Sequence, residues 1–196
     1  MEREVILSGV GGQGVQLAAQ VLARAAVRED RRVMLLGTYG GTMRGGNTDS
    51  MLVVADAPIS APPILSHAWA ALVLHPQFFA PLRSKLRPGA VVLVNSSIDG
   101  EALGDADARR TASLFQVPAT ERATALGSAM AASMVMIGAF AGLTALVGLE
   151  SLVAAMGESV PSYRRQHLAW NEAALRAGFD AVPSGAAPAW AVEATP

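Results

Sequence analysis

The chain has 196 residues, enough for one domain, and its 15 basic and 16 acidic residues leave a formal net charge of −1. This balance excludes the basic surface that nucleic-acid binding requires, and a composition of 52% hydrophobic and 16% charged residues excludes a disordered chain. Because there is no cysteine, the chain supplies no thiolate for catalysis, zinc or an iron–sulfur cluster. A composition this apolar favours extensive burial of the chain's surface, either in a membrane or against partner chains.

The N-terminal part of the chain predicts strands and a helix around a glycine-rich turn. Val5–Leu7 is an apolar run typical of a buried strand, and the apolar residues of Val15–Arg28 have helical spacing. Val33–Leu36 predicts a second buried strand. This order predicts the start of a right-handed βαβ unit. The chain enters its first strand without the pattern of a signal peptide, so the expected location is cytoplasmic.

Further strands and turns follow along the middle of the chain. Strands are predicted at 50–55, 69–74, 90–94 and 113–117, with a short helix over 77–86 and a turn at Pro88-Gly89. The acidic stretch 99–107 is interpreted as a solvated loop. Strands that alternate with helices are typical of the α/β class.

A long stretch without charge, 123–149, has the length of a transmembrane helix. Four glycines interrupt it, its mean hydropathy is modest, and no flank rich in Lys or Arg sets an orientation. We therefore favour buried helices over a membrane span, and small residues suit close helix packing in either case. No membrane partner is predicted.

The C-terminal part predicts two helices and a tail. A helix continues over 149–156 until Gly157 stops it, and a last amphipathic helix covers 161–177 with Gly178 as its C-cap. Residues 180–196 are rich in Ala and Pro and predict a flexible tail. The predicted organisation is one domain over 1–179 followed by the tail 180–196.

The first motif is Gly9-Val10-Gly11-Gly12-Gln13-Gly14, here called the glycine loop, which has G-x-G-x-x-G spacing between a strand and a helix. Glycine permits a tight turn and a close approach of phosphate to the backbone, and the helix N-terminus attracts an anion. Dinucleotide sites also require an acidic residue at the end of the second strand, where this chain has Leu36-Gly37-Thr38-Tyr39. NAD binding is therefore disfavoured. The loop serves packing or an interface alone, or it binds a phosphate-bearing ligand shared with another chain.

A second glycine-rich loop, Gly37–Asn47, is expected at the same edge of the sheet, where ligands of open α/β sheets bind. Arg44 stands in it beside glycine, so its guanidinium can reach a phosphate or carboxylate; the alternative is a surface loop with a solvated arginine. The three histidines lack metal-ligand spacing, and neither a catalytic residue nor a metal site is predicted. The candidate cofactor-binding residues are Gly9, Gly11, Gly12, Gln13, Gly14, Tyr39, Arg44, Gly45, Gly46 and Asn47.

These motifs in this order resemble the gamma subunit, or gamma domain, of the 2-oxoacid:ferredoxin oxidoreductases, which act on pyruvate, 2-oxoglutarate, 2-oxoisovalerate or indolepyruvate. The resemblance covers about residues 4–179 and continues through 92–97, 134–142 and the last helix with Asn171. Ser133 stands where the family pattern has asparagine.

The resemblance implies an α/β fold, a Rossmann-like parallel or mixed sheet with helices on both faces in a single domain. It implies one subunit of a complex that oxidatively decarboxylates a 2-oxoacid with coenzyme A, giving acyl-CoA, carbon dioxide and reduced ferredoxin. Thiamine diphosphate and magnesium would be held by alpha and beta subunits and iron–sulfur clusters by other chains, including a ferredoxin-like delta subunit; this chain alone would bind no cofactor. The two glycine-rich loops would face the coenzyme A side of the active site or the partner chains. The alternative is a stand-alone nucleotide- or flavin-binding module.

Overall fold

The computed structural model describes residues 1–39, 45–60, 64–99 and 112–190. Among them are six strands, β1 Glu2–Val10, β2 Arg32–Tyr39, β3 Asn47–Ala55, β4 Ala68–Val73, β5 Leu86–Asn95 and β6 Ala112–Val117. The same residues form six α-helices, α1 Val15–Arg28, α2 Phe79–Arg83, α3 Ala119–Ala125, α4 Ala132–Thr144, α5 Leu149–Ser159 and α6 Leu168–Phe179. Short 3-10 turns lie at Pro76–Phe78, Ala129–Ala131 and Ser162–His167.

All six strands form one mixed sheet in the order β2-β3-β1-β4-β5-β6. β1, β4, β5 and β6 pair in parallel, whereas β3 is antiparallel to both β1 and β2. The predicted βαβ unit is therefore interrupted: β1 and β2 run in the same direction, but β3 lies between them. β3 can occupy this position because Val53 and Val54 are as apolar as the strands on either side.

The sheet buries both of its faces, because apolar side chains alternate between them along each strand. On one face, Val5 and Leu7 pack with α1 and α3 to α6. On the other face, Ile6 packs with a smaller cluster that includes Phe79 and Leu82 around α2. The predicted mixed sheet with helices on both faces is confirmed, with the helices very unequally divided between the two faces.

Three local predictions are wrong. Pro88 and Gly89 lie inside β5, where the pairing register with β4 shifts, and do not form a turn between elements. α5 continues through Gly157 to Ser159. Gly178 lies within α6 and is not its cap: a Cβ there would overlap the carbonyl oxygen of Val135 on α4. Most of the predicted acidic loop lies outside the described residues.

The charge-free stretch 123–149 forms a buried helix over its central part, as the sequence predicts, whereas residues 124–130 are exposed or half-buried. Its central part is α4, whose residues from Ser133 to Thr144 are all buried. α4 and α6 approach closely because Gly138 of α4 faces the backbone of Leu175, and Gly178 of α6 faces the backbone of Val135. No helix in the described part of the chain has the length and apolar character needed to cross a membrane.

The segment after α6 differs from the predicted flexible tail up to residue 190. The amide of Ala187 donates to the carbonyl of Leu143 at 3.0 Å, and Ala189 is fully buried. The indole of Trp190 donates to the carbonyl of Leu146 at 3.1 Å. These contacts fix the segment to the C-terminal end of α4. The predicted tail residues 191–196 lie outside the described residues.

Candidate functional site

The two glycine-rich loops meet at the carboxyl end of β1, as expected from the direction of the strands. The amide of Gly11 donates to the carbonyl of Gly46 at 2.9 Å. Asn47 begins β3 opposite Val10, which ends β1. Tyr39 ends β2 at the same edge. Arg44 and the side chain of Tyr39 lie outside what the structure describes.

The glycines of the first loop serve two different physical purposes. Gly12 and Gly14 have φ values of 104° and 80°, a backbone conformation that L-residues rarely adopt. Gly9 is required by close packing, because a Cβ there would lie 2.8 Å from Oε1 of Gln13 and 3.1 Å from Leu74. A Cβ at Gly12 would meet nothing within 4 Å, so Gly12 is needed for its backbone conformation rather than to avoid a clash.

The Gln13 side chain closes the loop on itself. Its Oε1 accepts a hydrogen bond from the backbone amide of Val10 at 2.8 Å, and the backbone amide of Gln13 donates to the carbonyl of Val10 at 3.0 Å. The carbonyl oxygen of this predicted binding residue is therefore engaged in holding the turn. This arrangement keeps the backbone of the glycine loop in one conformation.

α1 begins directly after this loop with Gly14 as its N-cap, and no side chain of the described residues caps it. The first amide groups of a helix have no partner within the helix and carry a partial positive charge. Such an end attracts phosphate or another anion. The geometry expected from the sequence, a helix N-terminus after a glycine turn at the strand edge, is confirmed.

A polar cluster that the sequence analysis missed lies on the other face of the sheet beside Asn47. Nδ2 of Asn47 donates to Oδ2 of Asp49 at 3.1 Å, and the hydroxyl of Ser8 donates to Oδ1 of Asn47 at 3.4 Å. Oδ1 of Asp49 is buried without a hydrogen-bond partner among the described residues. Asp49 lies opposite Thr38 of β2, close to the end of the second strand. The sequence signal that could have predicted this cluster is the pair of polar residues Asn47 and Asp49 at alternate positions of β3.

A cavity of about 520 Å³, here called the helical cleft, opens beside the glycine loop. The N-terminal parts of α1, α4 and α6 and the end of α5 surround it. Its lining residues are Gly12, Gly14, Leu17, Gln20, Ser128, Met130, Ser133, Met134, Ser159, Val160, Pro161, His167 and Asn171. Of the predicted site residues that the structure describes, Gly12 and Gly14 line this cleft.

The far wall of the helical cleft comes from segments more than a hundred residues away in sequence. Ser133 is almost fully buried, and its Oγ would lie 2.8 Å from a Cβ placed on Gly14, so α4 packs directly on the loop. His167 lies on the wall with its ring 5.5 Å from that of Trp170. Sequence reasoning missed these residues because nothing in the local pattern links α4 and α6 to the glycine loop.

Metal binding finds no support in the described part of the chain. No group of three His, Cys, Asp or Glu residues is arranged to hold a metal ion there. A chain without cysteine also lacks the thiolates that hold an iron–sulfur cluster. In the described residues, the glycine loop and the helical cleft lie side by side at the carboxyl edge of the sheet.

A mixed α/β sheet with a glycine loop leading into a helix at its carboxyl edge defines a Rossmann-like domain. The sequence profile of the pyruvate ferredoxin/flavodoxin oxidoreductase family matches residues 4–181. The chain belongs to this family, and within it to the gamma subunits of the 2-oxoacid:ferredoxin oxidoreductases.

Relatives of known identity agree with this placement. The chain is 32% identical over 164 residues to the 2-oxoglutarate synthase subunit KorC of Methanocaldococcus jannaschii. The aligned region covers 82% of this chain and 85% of the relative. The gamma subunit of keto/oxoacid ferredoxin oxidoreductase from Geobacter sulfurreducens has a similar structure, with a TM-score of 0.78, 25% identity, and coverage of 92% of this chain and 96% of that chain.

A second solved structure shows the fold alone. It is the 2-oxoglutarate:ferredoxin oxidoreductase of Magnetococcus marinus with 2-oxoglutarate, coenzyme A and succinyl-CoA bound. The similarity has a TM-score of 0.81 at 16% identity and covers 93% of this chain but 32% of that one.

Proposed function

We propose that this gamma subunit forms part of the coenzyme A side of the active site in its 2-oxoacid:ferredoxin oxidoreductase complex. The observation that carries the proposal is the convergence of the two glycine-rich loops, joined by the bond from Gly11 to Gly46, beside the N-terminus of α1 and the helical cleft. This edge offers backbone amides to an anion, and coenzyme A is the phosphate-bearing substrate of such a complex. The coenzyme A in the Magnetococcus marinus enzyme supports the choice of ligand.

The chain supplies binding and orientation rather than the reacting groups. In the reaction, the 2-oxoacid loses carbon dioxide, its acyl group passes to the thiol of coenzyme A, and the electrons released pass to ferredoxin. Thiamine diphosphate and magnesium, assigned to the alpha and beta subunits, would supply the decarboxylation chemistry, and iron–sulfur clusters in other chains would carry the electrons. The backbone of the glycine loop would hold the phosphates of coenzyme A in place, and the Arg44 guanidinium would pair with them. The alternative of a stand-alone nucleotide- or flavin-binding module has no support from the relatives.

The test is the steady-state kinetics of the assembled complex carrying Arg44→Ala. Loss of a charge-assisted hydrogen bond of roughly 1.5–3 kcal/mol should raise the KM for coenzyme A by about tenfold or more. The KM for the 2-oxoacid should stay unchanged, because that substrate binds to other subunits. Arg24→Ala, an exposed arginine on α1, is the matched control and should leave both constants unchanged. Unchanged coenzyme A kinetics together with unchanged assembly would contradict the proposal.

A further inference from the structure

A second cavity, here called the amino-edge cavity, lies at the other end of β1 from the glycine loop. Its volume is about 260 Å³, and its lining residues are Glu2, Glu4, Ser60, Leu65, Ser66, His67 and Arg87. Glu4 and Gly9 are five residues apart along β1, which corresponds to roughly 17 Å of strand. The amino-edge cavity therefore lies away from the edge of the sheet that carries the two glycine-rich loops.

Glu4 places a buried carboxylate in the wall of this cavity. The residue is 7% exposed and lies on the sheet face that also carries Ile6 and Leu65. Nη2 of Arg87 donates to Oε1 of Glu4, and Nε of Arg87 donates to the carbonyl of His67 at 3.1 Å. Oε2 of Glu4 is buried without a hydrogen-bond partner among the described residues. Such an oxygen costs free energy, so a donor that satisfies this carboxylate is bound favourably.

The other polar groups of the amino-edge cavity are hydroxyls, an imidazole and a second carboxylate. Oε1 of Glu2 accepts hydrogen bonds from the backbone amide and the hydroxyl of Ser60, at 2.6 and 2.9 Å. The hydroxyl of Ser66 lies 3.0 Å from Nδ1 of His67. Two carboxylates and one guanidinium line the cavity, so its charge favours a cation. The group that fits best is a cation with several hydrogen-bond donors.

The size of the amino-edge cavity favours a single long side chain over a whole small molecule. About 260 Å³ lies below the usual range of roughly 300–1,000 Å³ for small-molecule sites. Leu65 offers apolar surface on which the hydrocarbon stem of a lysine packs while its ammonium reaches the carboxylate. An ammonium fits better than a second guanidinium, because Arg87 already occupies one oxygen of Glu4 and the planar guanidinium pairs best with both.

Exposed apolar side chains next to the amino-edge cavity favour a protein as the source of this lysine. Ile64 precedes the lining residue Leu65 and is 69% exposed, and Met1 precedes Glu2 and is 51% exposed. Apolar side chains that border a concave, charged pocket are typical of surfaces that another chain covers. A second copy of this chain offers one lysine, Lys85, which is half-buried. Because the chain belongs to a family of subunits, another subunit of the complex is the better source.

We propose that the amino-edge cavity is a docking pocket for a lysine side chain of another subunit of the complex. The ammonium pairs with the carboxylate of Glu4, and the stem packs on Leu65. This pairing satisfies the buried carboxylate and leaves the bond from Arg87 in place. The amino edge of the sheet then serves assembly, whereas the carboxyl edge carries the glycine loop.

The first experiment measures how tightly the chain is held in the assembled complex with Glu4→Gln. Glutamine keeps the shape of the side chain and an acceptor for Arg87, but it removes the charge that pairs with the ammonium. The Kd for release of this subunit, measured by native mass spectrometry over a dilution series, should rise by about ten- to a hundredfold. Glu158→Gln removes the carboxylate of an exposed pair with Arg28 and is the matched control, which should assemble like the parent. Parent-like assembly of Glu4→Gln would overturn the proposal.

Ser66→Lys keeps the test decisive if Glu4→Gln fails to fold. Ser66 is exposed at the amino-edge cavity, so a lysine there brings this chain's own ammonium to Glu4. The substitution should raise the Tm of the chain and raise the Kd for its release, because the pocket is already filled. Ser113→Lys, at an exposed serine of β6, is the control and should change neither quantity. Release of Ser66→Lys with the Kd of the parent would contradict the proposal.

A third measurement separates a docked lysine from a small cation in solution. Butylammonium chloride is added to the parent chain, with sodium butyrate at the same ionic strength as the control. If butylammonium raises the Tm of the chain while Glu4→Gln leaves assembly unchanged, the cavity binds a free amine and the proposal is wrong. Carbodiimide coupling of the parent complex should join Glu4 to a lysine of another subunit. Coupling to Lys85 alone would place the cation in this chain and also overturn the proposal.

Discussion

The contact between α4 and α6 gives the sharpest prediction about stability, tested by Gly178→Ala. A Cβ at Gly178 would overlap the carbonyl oxygen of Val135 and lie 2.8 Å from its carbonyl carbon. Carbon atoms in contact normally stay about 3.5–4.0 Å apart, so one helix has to move by roughly 1 Å. The obstacle is backbone, and no side-chain rotation relieves it.

The size of the effect follows from two opposing contributions. Overpacking of a dense core costs about 1–3 kcal/mol or more, and this site lies at the upper end because a whole helix must shift. Replacement of a helical glycine by alanine raises the stability of the helix by about 0.5–1 kcal/mol. The expected net loss in the free energy of unfolding is about 2 kcal/mol. For a chain of this size that lowers Tm by about 4–8 °C.

A matched control lies in the neighbouring helix. Gly157 is in α5, and a Cβ there would meet nothing within 4 Å. Gly157→Ala should therefore raise the free energy of unfolding by up to about 1 kcal/mol. Both variants are compared with the parent chain by denaturant titration and thermal unfolding. If Gly178→Ala is as stable as Gly157→Ala, the close approach of α4 and α6 is refuted.

Two further predictions concern contacts that hold the C-terminal part of the chain. Arg176 of α6 lowers the pKa of Glu150 on α5 through a hydrogen bond, so this link stabilises the fold above about pH 4.5 and is lost as pH falls through the lowered value. Glu150→Gln should therefore lower Tm at neutral pH, and the difference from the parent should vanish in acid; a gap that persists in acid contradicts the link. Trp190→Ala removes the hydrogen bond to the carbonyl of Leu146 and the contact of the indole ring with the Arg31 guanidinium, which lies 4.1 Å from the ring centroid. The free energy of unfolding, measured by denaturant titration, should fall by about 2 kcal/mol. Parent-like stability would mean that residues near 190 form a free tail.

The sequence was most informative where structure depends on local pattern. The predicted helix Val15–Arg28 has the bounds of α1, because its apolar spacing and the preceding glycine turn are both local signals. The positions of β4 and β6 follow from short apolar runs in the same way. The edge of the sheet that carries the glycine loop could be predicted, since strand direction alone determines it.

The sequence was least informative where distant segments meet. The pairing of β3 between β1 and β2 depends on long-range contacts, which apolar runs do not specify. Gly178 has the local pattern of a helix cap, and only the packing of α4 shows why a side chain is excluded there. Asn171 and Ser133 gain a place at the candidate site only after the helices assemble beside Gly14.

Hydrogen–deuterium exchange of the assembled complex, with and without saturating coenzyme A, tests most directly whether this subunit binds that substrate. The amides from Gly11 to Leu17 cover the glycine loop and the first turn of α1. The amides of Gly11 and Gln13 already donate within the loops, so phosphates would accept hydrogen bonds from the other amides of this segment, and the exchange of those amides should slow when coenzyme A binds. The exposed amides around Gly157 should exchange at the same rate in both states. Unchanged exchange from Gly11 to Leu17, in a complex that kinetics show to be saturated, would contradict the account.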